Sequence, residues 1–248
     1  MAISTIPWPS DDPGDAGPEL DPVFPRLWVL PGTYRAQADS FLVGRSVRRL
    51  APGRRVLDVC TGSGALAVVA AAAGADRVVA VDLSSRSVLN ARLNAARHRL
   101  AVEVRRGNLF APVRGQRFDL VVCNPPYVPS ATDVLPRHTA ARAWDGGTDG
   151  RAVVDRFCAE VGEVLAREGR VLLVHPSFIG VTTTLACLAA GGLSAAVVAR
   201  LPNPFGPVLR SRERALRQRA LLAEDERHET LVVFEARACA SARTAGCR

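Results

Sequence analysis

The segment Val56-Leu57-Asp58-Val59-Cys60-Thr61-Gly62-Ser63-Gly64 runs from an apolar stretch directly into a glycine turn. The apolar stretch predicts a buried strand, and the alanine-rich residues after the turn predict a helix that ends at Gly74. The next apolar run, Arg77–Asp82, ends on an acidic residue. A strand, a glycine turn, a helix and a second strand in this order form a βαβ unit.

The rest of the chain repeats this alternation of strand and helix patterns. Helices are predicted over Gly64–Ala73, Ser84–His98, Gly150–Arg167 and 178–190, with Ser84 or Ser85 as the N-cap of the second. Crossovers of this length are right-handed and connect parallel strands. We therefore expect an α/β fold built on a Rossmann-like, doubly wound, mostly parallel sheet of seven strands. The predicted strands are Arg55–Val59, Arg77–Asp82, Val102–Arg105, Phe118–Cys123, Arg170–His175, 195–201 and Thr230–Ala236.

Length and composition indicate one domain with tails. Residues 1–25 hold six prolines and five acidic residues, which is typical of a flexible leader, and residues 238–248 predict a disordered tail. The domain is expected over 26–237. Apolar runs stay below the ~20 residues of a membrane span, so we expect a cytoplasmic protein. The six cysteines show no paired short spacing, so neither a zinc site nor a disulfide framework is indicated.

A second polar motif stands at the end of another predicted strand. Asn124-Pro125-Pro126-Tyr127 directly follows the apolar run Phe118–Cys123. The prolines fix φ and supply no backbone N–H, so Asn124 and free carbonyls remain as hydrogen-bonding groups. A rigid polar lip of this kind suits a planar substrate that carries an NH₂ group.

The acidic residues around the glycine turn indicate the cofactor. In a doubly wound sheet, ligands bind at the carboxyl ends of the strands. Gly62 and Gly64 allow the backbone to approach a ligand closely, and Asp82 stands where a carboxylate accepts from ribose hydroxyls. Asp58, just before the turn, would repel a diphosphate but suits a cation. S-adenosylmethionine, with its sulfonium, ammonium and ribose, fits better than NAD, and no metal is expected.

These motifs together resemble the HemK-type glutamine methyltransferases, which are class I S-adenosylmethionine-dependent enzymes that modify translation release factors. The resemblance covers about residues 31–236 and implies the short form, which lacks an N-terminal helical domain. The motif Asn-Pro-Pro-Tyr alone is shared with adenine and guanine methyltransferases, whereas its combination with Trp144–Gly150 is more specific. The matching segments are Pro31–Leu42, Val56–Leu66, Val79–Leu83, Gly107–Phe110, Phe118–Ser130 and Ala143–Arg151.

The resemblance implies a role for each matching residue. Asn124, Pro125 and Tyr127 would bind the substrate amide. Asn108 stands where the family usually has aspartate, so we expect weaker but retained adenine binding, because the asparagine oxygen still accepts a hydrogen bond. The implied cofactor-binding set, to which the glycine turn and the strand ends contribute, is Asp39, Ser40, Asp58, Cys60, Gly62, Gly64, Asp82, Leu83, Asn108, Leu109 and Asn124.

Three functions stay open at this point. The resemblance favours methylation of a glutamine amide in a Gly-Gly-Gln loop of a release factor. An RNA or small-molecule amine methyltransferase is the alternative, since the lip accepts any planar NH₂. The arginines of 210–219 favour a solvated helix face over an RNA or ribosome contact. An inactive cofactor-binding protein is the third possibility, against which the intact acidic and glycine residues argue.

Overall fold

Seven strands form one mixed sheet in the computed structural model, which describes residues 24–136 and 140–238. The predicted leader and tail therefore lie almost entirely outside the described residues. The strands are β1 (Arg55–Val59), β2 (Arg77–Asp82), β3 (Glu103–Arg106), β4 (Phe118–Cys123), β5 (Leu165–Pro176), β6 (Leu193–Pro204) and β7 (His228–Ala238). The helices are α1 (Ala38–Leu50), α2 (Ala65–Ala72), α3 (Ser85–Arg97), α4 (Ala152–Glu160), α5 (Val181–Ala190) and α6 (Pro207–Gln218).

The strand order β3-β2-β1-β4-β5-β7-β6 defines where a ligand can bind. Strands β1 to β5 run parallel, and β7 is antiparallel to both β5 and β6. The order reverses between β1 and β4, which places the topological switch point there. The predicted Rossmann-like, mostly parallel seven-stranded sheet is confirmed.

Alternating residues of the central strands bury two apolar layers, one on each face of the sheet. On β1, Leu57 and Val59 belong to one layer, while Val56 belongs to the other. Helices α1 to α3 cover the layer of Val56, and α4 and α5 cover the opposite one. Strands that are buried on both faces read as continuous apolar runs, which explains why the sequence marked them clearly.

Two segments differ from the sequence prediction. The helix predicted over Gly150–Arg167 ends at Glu160, and β5 already begins at Leu165. Leu165 pairs with Phe118 of β4, and a register shift follows before Leu120. This pairing across the sheet overrides the helical propensity of the segment. The second difference is α1, whose helix was not predicted.

Candidate active site

One large cavity of about 1060 Å³ opens at the carboxyl ends of β1, β2 and β4, at the switch point. Its walls come from the turn after β1, the end of β2, the loop after β3 and the lip after β4. The segment before α1, the loop around Trp144 and the first residues of α6 close the remaining sides. Of the predicted site residues, those that line the cavity are Asp39, Cys60, Gly62, Asp82, Leu83, Asn108, Leu109, Asn124, Pro125 and Tyr127.

The glycine turn after β1 is built from left-handed backbone. Cys60, Gly62 and Gly64 have φ values of 61°, 55° and 85°. Gly62 faces the cavity, whereas a Cβ on Gly64 would lie 2.9 Å from Ala91 of α3. Gly64 therefore permits close packing of two helices, and only Gly62 presents bare backbone to a ligand.

Asp58 lies behind this turn and not in the cavity wall. Its Oδ2 accepts from Thr61 Oγ1 at 2.5 Å and from Ala67 N at 3.0 Å. Its Oδ1 accepts no hydrogen bond within the described part of the chain, although the residue is only 1% exposed. Burial raises the pKa of the Asp58 carboxyl to about 7, against the lowering effect of these two donors. An unpartnered carboxylate oxygen at this position fits a cationic group, directly or through water.

Asp82 closes the end of β2 and fixes the same turn from the other side. Gly62 N donates to its Oδ2 at 2.9 Å, and Ser84 N donates to its Oδ1 at 2.8 Å. Ser84 in turn caps α3 through Ser87 N. Burial raises the pKa of Asp82. Because each carboxylate oxygen has two acceptor sites, both oxygens can still accept one hydroxyl each.

The loop after β3 forms the neighbouring wall. Gly107 N donates to the backbone carbonyl of Asp82 at 2.9 Å, which ties this loop to the end of β2. Leu109 is buried with a φ of 46°, and the exposed Asn108 stands beside it at the cavity. An apolar side chain next to an amide suits a flat heterocycle with hydrogen-bonding edges.

A hydrogen-bond network joins α1 to the lip after β4. Asp39 Oδ2 accepts from Tyr34 Oη at 2.6 Å and from Tyr127 Oη at 3.0 Å, and Asn124 Nδ2 donates to Ser40 Oγ at 3.1 Å. Burial and the charge of Asp39 raise the pKa of both tyrosines well above 10, so both hydroxyls stay protonated and donate. The contact to Ser40 fixes the Asn124 amide through its NH₂, and no described residue donates to its Oδ1.

The predicted site residues leave out two acidic residues of this cavity, Asp145 and Glu229. Glu229 stands at the start of β7, is only 6% exposed and lines the cavity wall. Asn203 Nδ2 of β6 donates to its Oε1 at 2.8 Å. Burial and the charge of Asp39 raise the pKa of Glu229 to about 7. Since β7 reaches the site only through antiparallel pairing with β5, no local motif marks this residue.

The predicted arginine-rich helix is α6, and it is anchored to the protein. Arg212 Nη1 lies 2.6 Å from Asp145 Oδ1, and Arg219 Nη1 donates to Ser130 O at 3.0 Å. Arg217 is 11% exposed and pairs with a glutamate one turn earlier. The prediction of a solvated arginine face is therefore wrong for Arg212 and Arg217. The contacts of Arg212 and Arg219 tie α6 to Asp145 and to the backbone that follows the lip after β4.

Residues 24–136 and 140–238 contain neither a metal site nor a membrane-spanning helix. Within these residues, no group of histidine, cysteine and acidic side chains could hold a metal ion. No helix in the same part of the chain is long and apolar enough to cross a membrane. The cavity at the switch point, on which the acidic and amide side chains converge, is the candidate active site.

Comparison with known proteins gives the family. The model of the methyltransferase small domain matches residues 38–139. A provisionally named protein N5-glutamine methyltransferase of Methanocaldococcus jannaschii is 31% identical over 180 residues, which are 73% of this chain and 90% of that protein. The chain belongs to the HemK-type protein glutamine methyltransferase family, as its motifs predicted.

Other relatives match a smaller part of their own length. A release factor glutamine methyltransferase of Gloeobacter violaceus is 42% identical over 135 residues, 51% of this chain and 47% of that protein. A ribosomal protein uL3 glutamine methyltransferase of Bordetella pertussis is 42% identical over 126 residues, which are 48% of this chain and 42% of that protein. An E. cuniculi complex described as responsible for methylation of the eRF1 translation termination factor shares the fold, with a TM-score of 0.58 at 21% identity over 84% of this chain and 99% of that chain.

Proposed function

We propose that the protein transfers a methyl group from S-adenosylmethionine to the side-chain amide of a glutamine in a protein, first of all in the Gly-Gly-Gln loop of a release factor. The observation that carries the proposal is the held amide of Asn124: Ser40 fixes its NH₂ group, and its Oδ1 accepts no hydrogen bond from residues 24–136 and 140–238. Family membership and the names of the relatives agree with it.

The cavity residues fit this cofactor by chemistry. The unpartnered Oδ1 of Asp58 lies behind the bare backbone of Gly62, where an ammonium or a bridging water would satisfy it. Asp82 would accept from the two ribose hydroxyls, and Asn108 with Leu109 would border the adenine. Asp39 and Ser40 would lie against the methionine part. When bound, S-adenosylmethionine supplies the electrophilic methyl group.

The lip after β4 solves the main difficulty of the reaction, which is the poor nucleophilicity of an amide nitrogen. Asn124 Oδ1 and the Pro125 carbonyl would both accept from the acceptor NH₂, and the Pro125 carbonyl accepts no hydrogen bond within the described residues. Two fixed acceptors orient the nitrogen lone pair towards the methyl group. They also stabilise the positive charge that develops on nitrogen in the transition state. Tyr127, held by Asp39, would pack against the amide plane and exclude water.

The acceptor would enter past α6. The first residues of α6, Pro207, Val208 and Leu209, line the cavity, and Val208, Leu209 and Trp144 share an apolar cluster with Tyr127 of the lip. These apolar groups suit a narrow loop that delivers one side chain into the cavity. Since α6 uses Arg212 and Arg217 for internal contacts, the helix offers less support for the alternative of an RNA substrate. A protein of the translation machinery would place the activity in the cytoplasm.

The test is methyl transfer from labelled S-adenosylmethionine to purified candidate proteins. A release factor should become labelled, and a variant whose Gly-Gly-Gln glutamine is changed to glutamate should not. Ribosomal protein uL3 serves as the competing protein substrate. Label that survives protease but is lost with ribonuclease would overturn the proposal in favour of RNA, and label on uL3 alone would replace the release factor as the substrate.

A further inference from the structure

The cavity contains one carboxylate for which the proposed reaction has no role so far. Among its acidic side chains, Asp39 accepts from two tyrosine hydroxyls, Asp82 from two backbone amides, and Asp145 pairs with Arg212. Glu229 differs from these three. Asn203 occupies its Oε1, whereas its Oε2 accepts no hydrogen bond from the residues that the structure describes.

Glu229 lies in the same cavity as the lip after β4. Most of the predicted cofactor residues follow β1, β2 and β3, with Asp39 and Ser40 on α1 and Asn124 in the lip, whereas Glu229 belongs to β7, beyond β4 and β5 in the sheet. The charge of Glu229 raises the pKa of both Tyr34 and Tyr127. The carboxyl therefore acts electrostatically on Tyr127, which is the lip residue that the proposed function assigns to the acceptor amide.

We propose that the free carboxylate oxygen of Glu229 accepts a hydrogen bond from a main-chain N–H next to the target glutamine, and that Glu229 is therefore a residue that binds and selects the acceptor. This inference rests on the proposed function. A loop that contains glycine beside the glutamine exposes its backbone N–H groups without side-chain obstruction, so it can reach a carboxylate that is only 6% exposed. Asn203 fixes the orientation of the carboxylate, which is the preorganisation that such recognition needs.

The ionisation of Glu229 gives the inference a pH signature. The groups that face it are Asp39 of α1, Tyr34, Tyr127 and Asn203 of β6. Both tyrosines have a pKa well above 10 and do not titrate near neutrality. The pKa of Glu229 is about 7, so the accepting carboxylate is lost as the pH falls below that value. The KM for the acceptor should then rise, approaching a tenfold increase per pH unit.

The experiment measures steady-state methyl transfer to the release factor from pH 6 to 8.5 at saturating S-adenosylmethionine, with the full chain and its Glu229→Gln variant. The variant keeps the size of the side chain but presents NH₂ to the cavity. Loss of a charge-assisted hydrogen bond should raise KM by roughly 10- to 100-fold and abolish its dependence on pH, with kcat little changed. Glu168→Gln, an exposed glutamate outside the cavity, is the matched control and should behave like the wild type.

Each other outcome overturns the inference. A variant with an unchanged KM would do so. A variant that loses kcat together with the pH dependence of KM would also do so, because that pattern indicates a proton acceptor. An equal loss of cofactor affinity in calorimetry would assign Glu229 to the cofactor instead. If the variant does not fold, a wild-type KM that stays flat across the pH range decides against it. A wild type that binds cofactor but never methylates a protein would refute the proposed function itself, and this inference with it.

Discussion

Asp58 should make the stability of the protein depend on pH, and its replacement by asparagine should remove that dependence. In the folded state the pKa of this buried carboxyl is about 7 instead of the ordinary 3.8. Between these values the folded protein holds a proton that the unfolded chain has released, so the free energy of unfolding falls as the pH rises. Each pH unit inside this window costs about 1.36 kcal/mol. From pH 5 to pH 8, the loss due to Asp58 is ~2.7 kcal/mol.

The Asp58→Asn variant is neutral at every pH, and its amide oxygen can still accept from Thr61 and Ala67. At pH 5 the folded wild type still holds this proton, so the stability gap between the two proteins at pH 5 serves as the reference. At pH 8 the gap should have moved in favour of the variant by roughly 2–3 kcal/mol. Urea unfolding of both proteins without cofactor, at each pH, measures this change. The contribution from Glu229, whose pKa is also raised, cancels in the difference.

The control for this prediction is Asp225→Asn, because Asp225 is an exposed aspartate outside the cavity. Its stability difference from the wild type should not change with pH. The reasoning about Asp58 is refuted if Asp58→Asn and the wild type lose stability in parallel from pH 5 to pH 8. The variant should also bind S-adenosylmethionine more weakly at pH 8, which calorimetry on the same samples reports.

Three further substitutions test other parts of the site. Asp82→Ala should weaken S-adenosylmethionine binding by roughly ten- to a hundredfold in calorimetry, because two ribose hydroxyls lose a charged acceptor; unchanged affinity in a folded variant contradicts the assignment. Asn124→Ala should lower kcat by ~10²–10³ with cofactor affinity nearly intact, and a variant that retains most of its turnover rules out the amide clamp. Gly64→Ala should destabilise the protein by ~2–4 kcal/mol in urea unfolding, since strain at φ 85° adds to overlap with Ala91. Gly74→Ala, with φ 88° and open space around it, should cost only about 1 kcal/mol, and equal losses would show that packing against Ala91 does not matter.

The central strands were predictable because burial on both faces leaves an unmistakable pattern. For β1, β2 and β4 the predicted and observed bounds coincide. The beginning of β5 was not predictable, since only its pairing with Phe118 makes a strand of a helix-like segment. For α1 a signal existed: Val43, Val47 and Leu50 are buried at helical spacing.

The site residues differ in the same way: neighbouring sequence marks some of them, and pairing between distant strands places the others. Residues next to a strand end, such as Asp82 and Asn124, could be predicted because parallel strands bring their carboxyl ends to one edge. Glu229 could not, because its position depends on the antiparallel pairing of β7 with β5. The role of Gly64 also differs from the prediction in its detail, since its missing side chain makes room for α3 and not for a ligand.

The acidic residues of the site show how its function opposes its stability. Asp58, Asp82 and Glu229 all have raised pKa values, and burial is the largest cause in each case. A buried carboxylate is destabilising until a cation or a hydrogen-bond donor reaches it. The proposed ligands bring such groups: an ammonium near Asp58, ribose hydroxyls at Asp82 and a backbone N–H at Glu229. Each binding step would therefore offset the desolvation cost of a buried carboxylate, and ligand binding would stabilise the fold in the same measure.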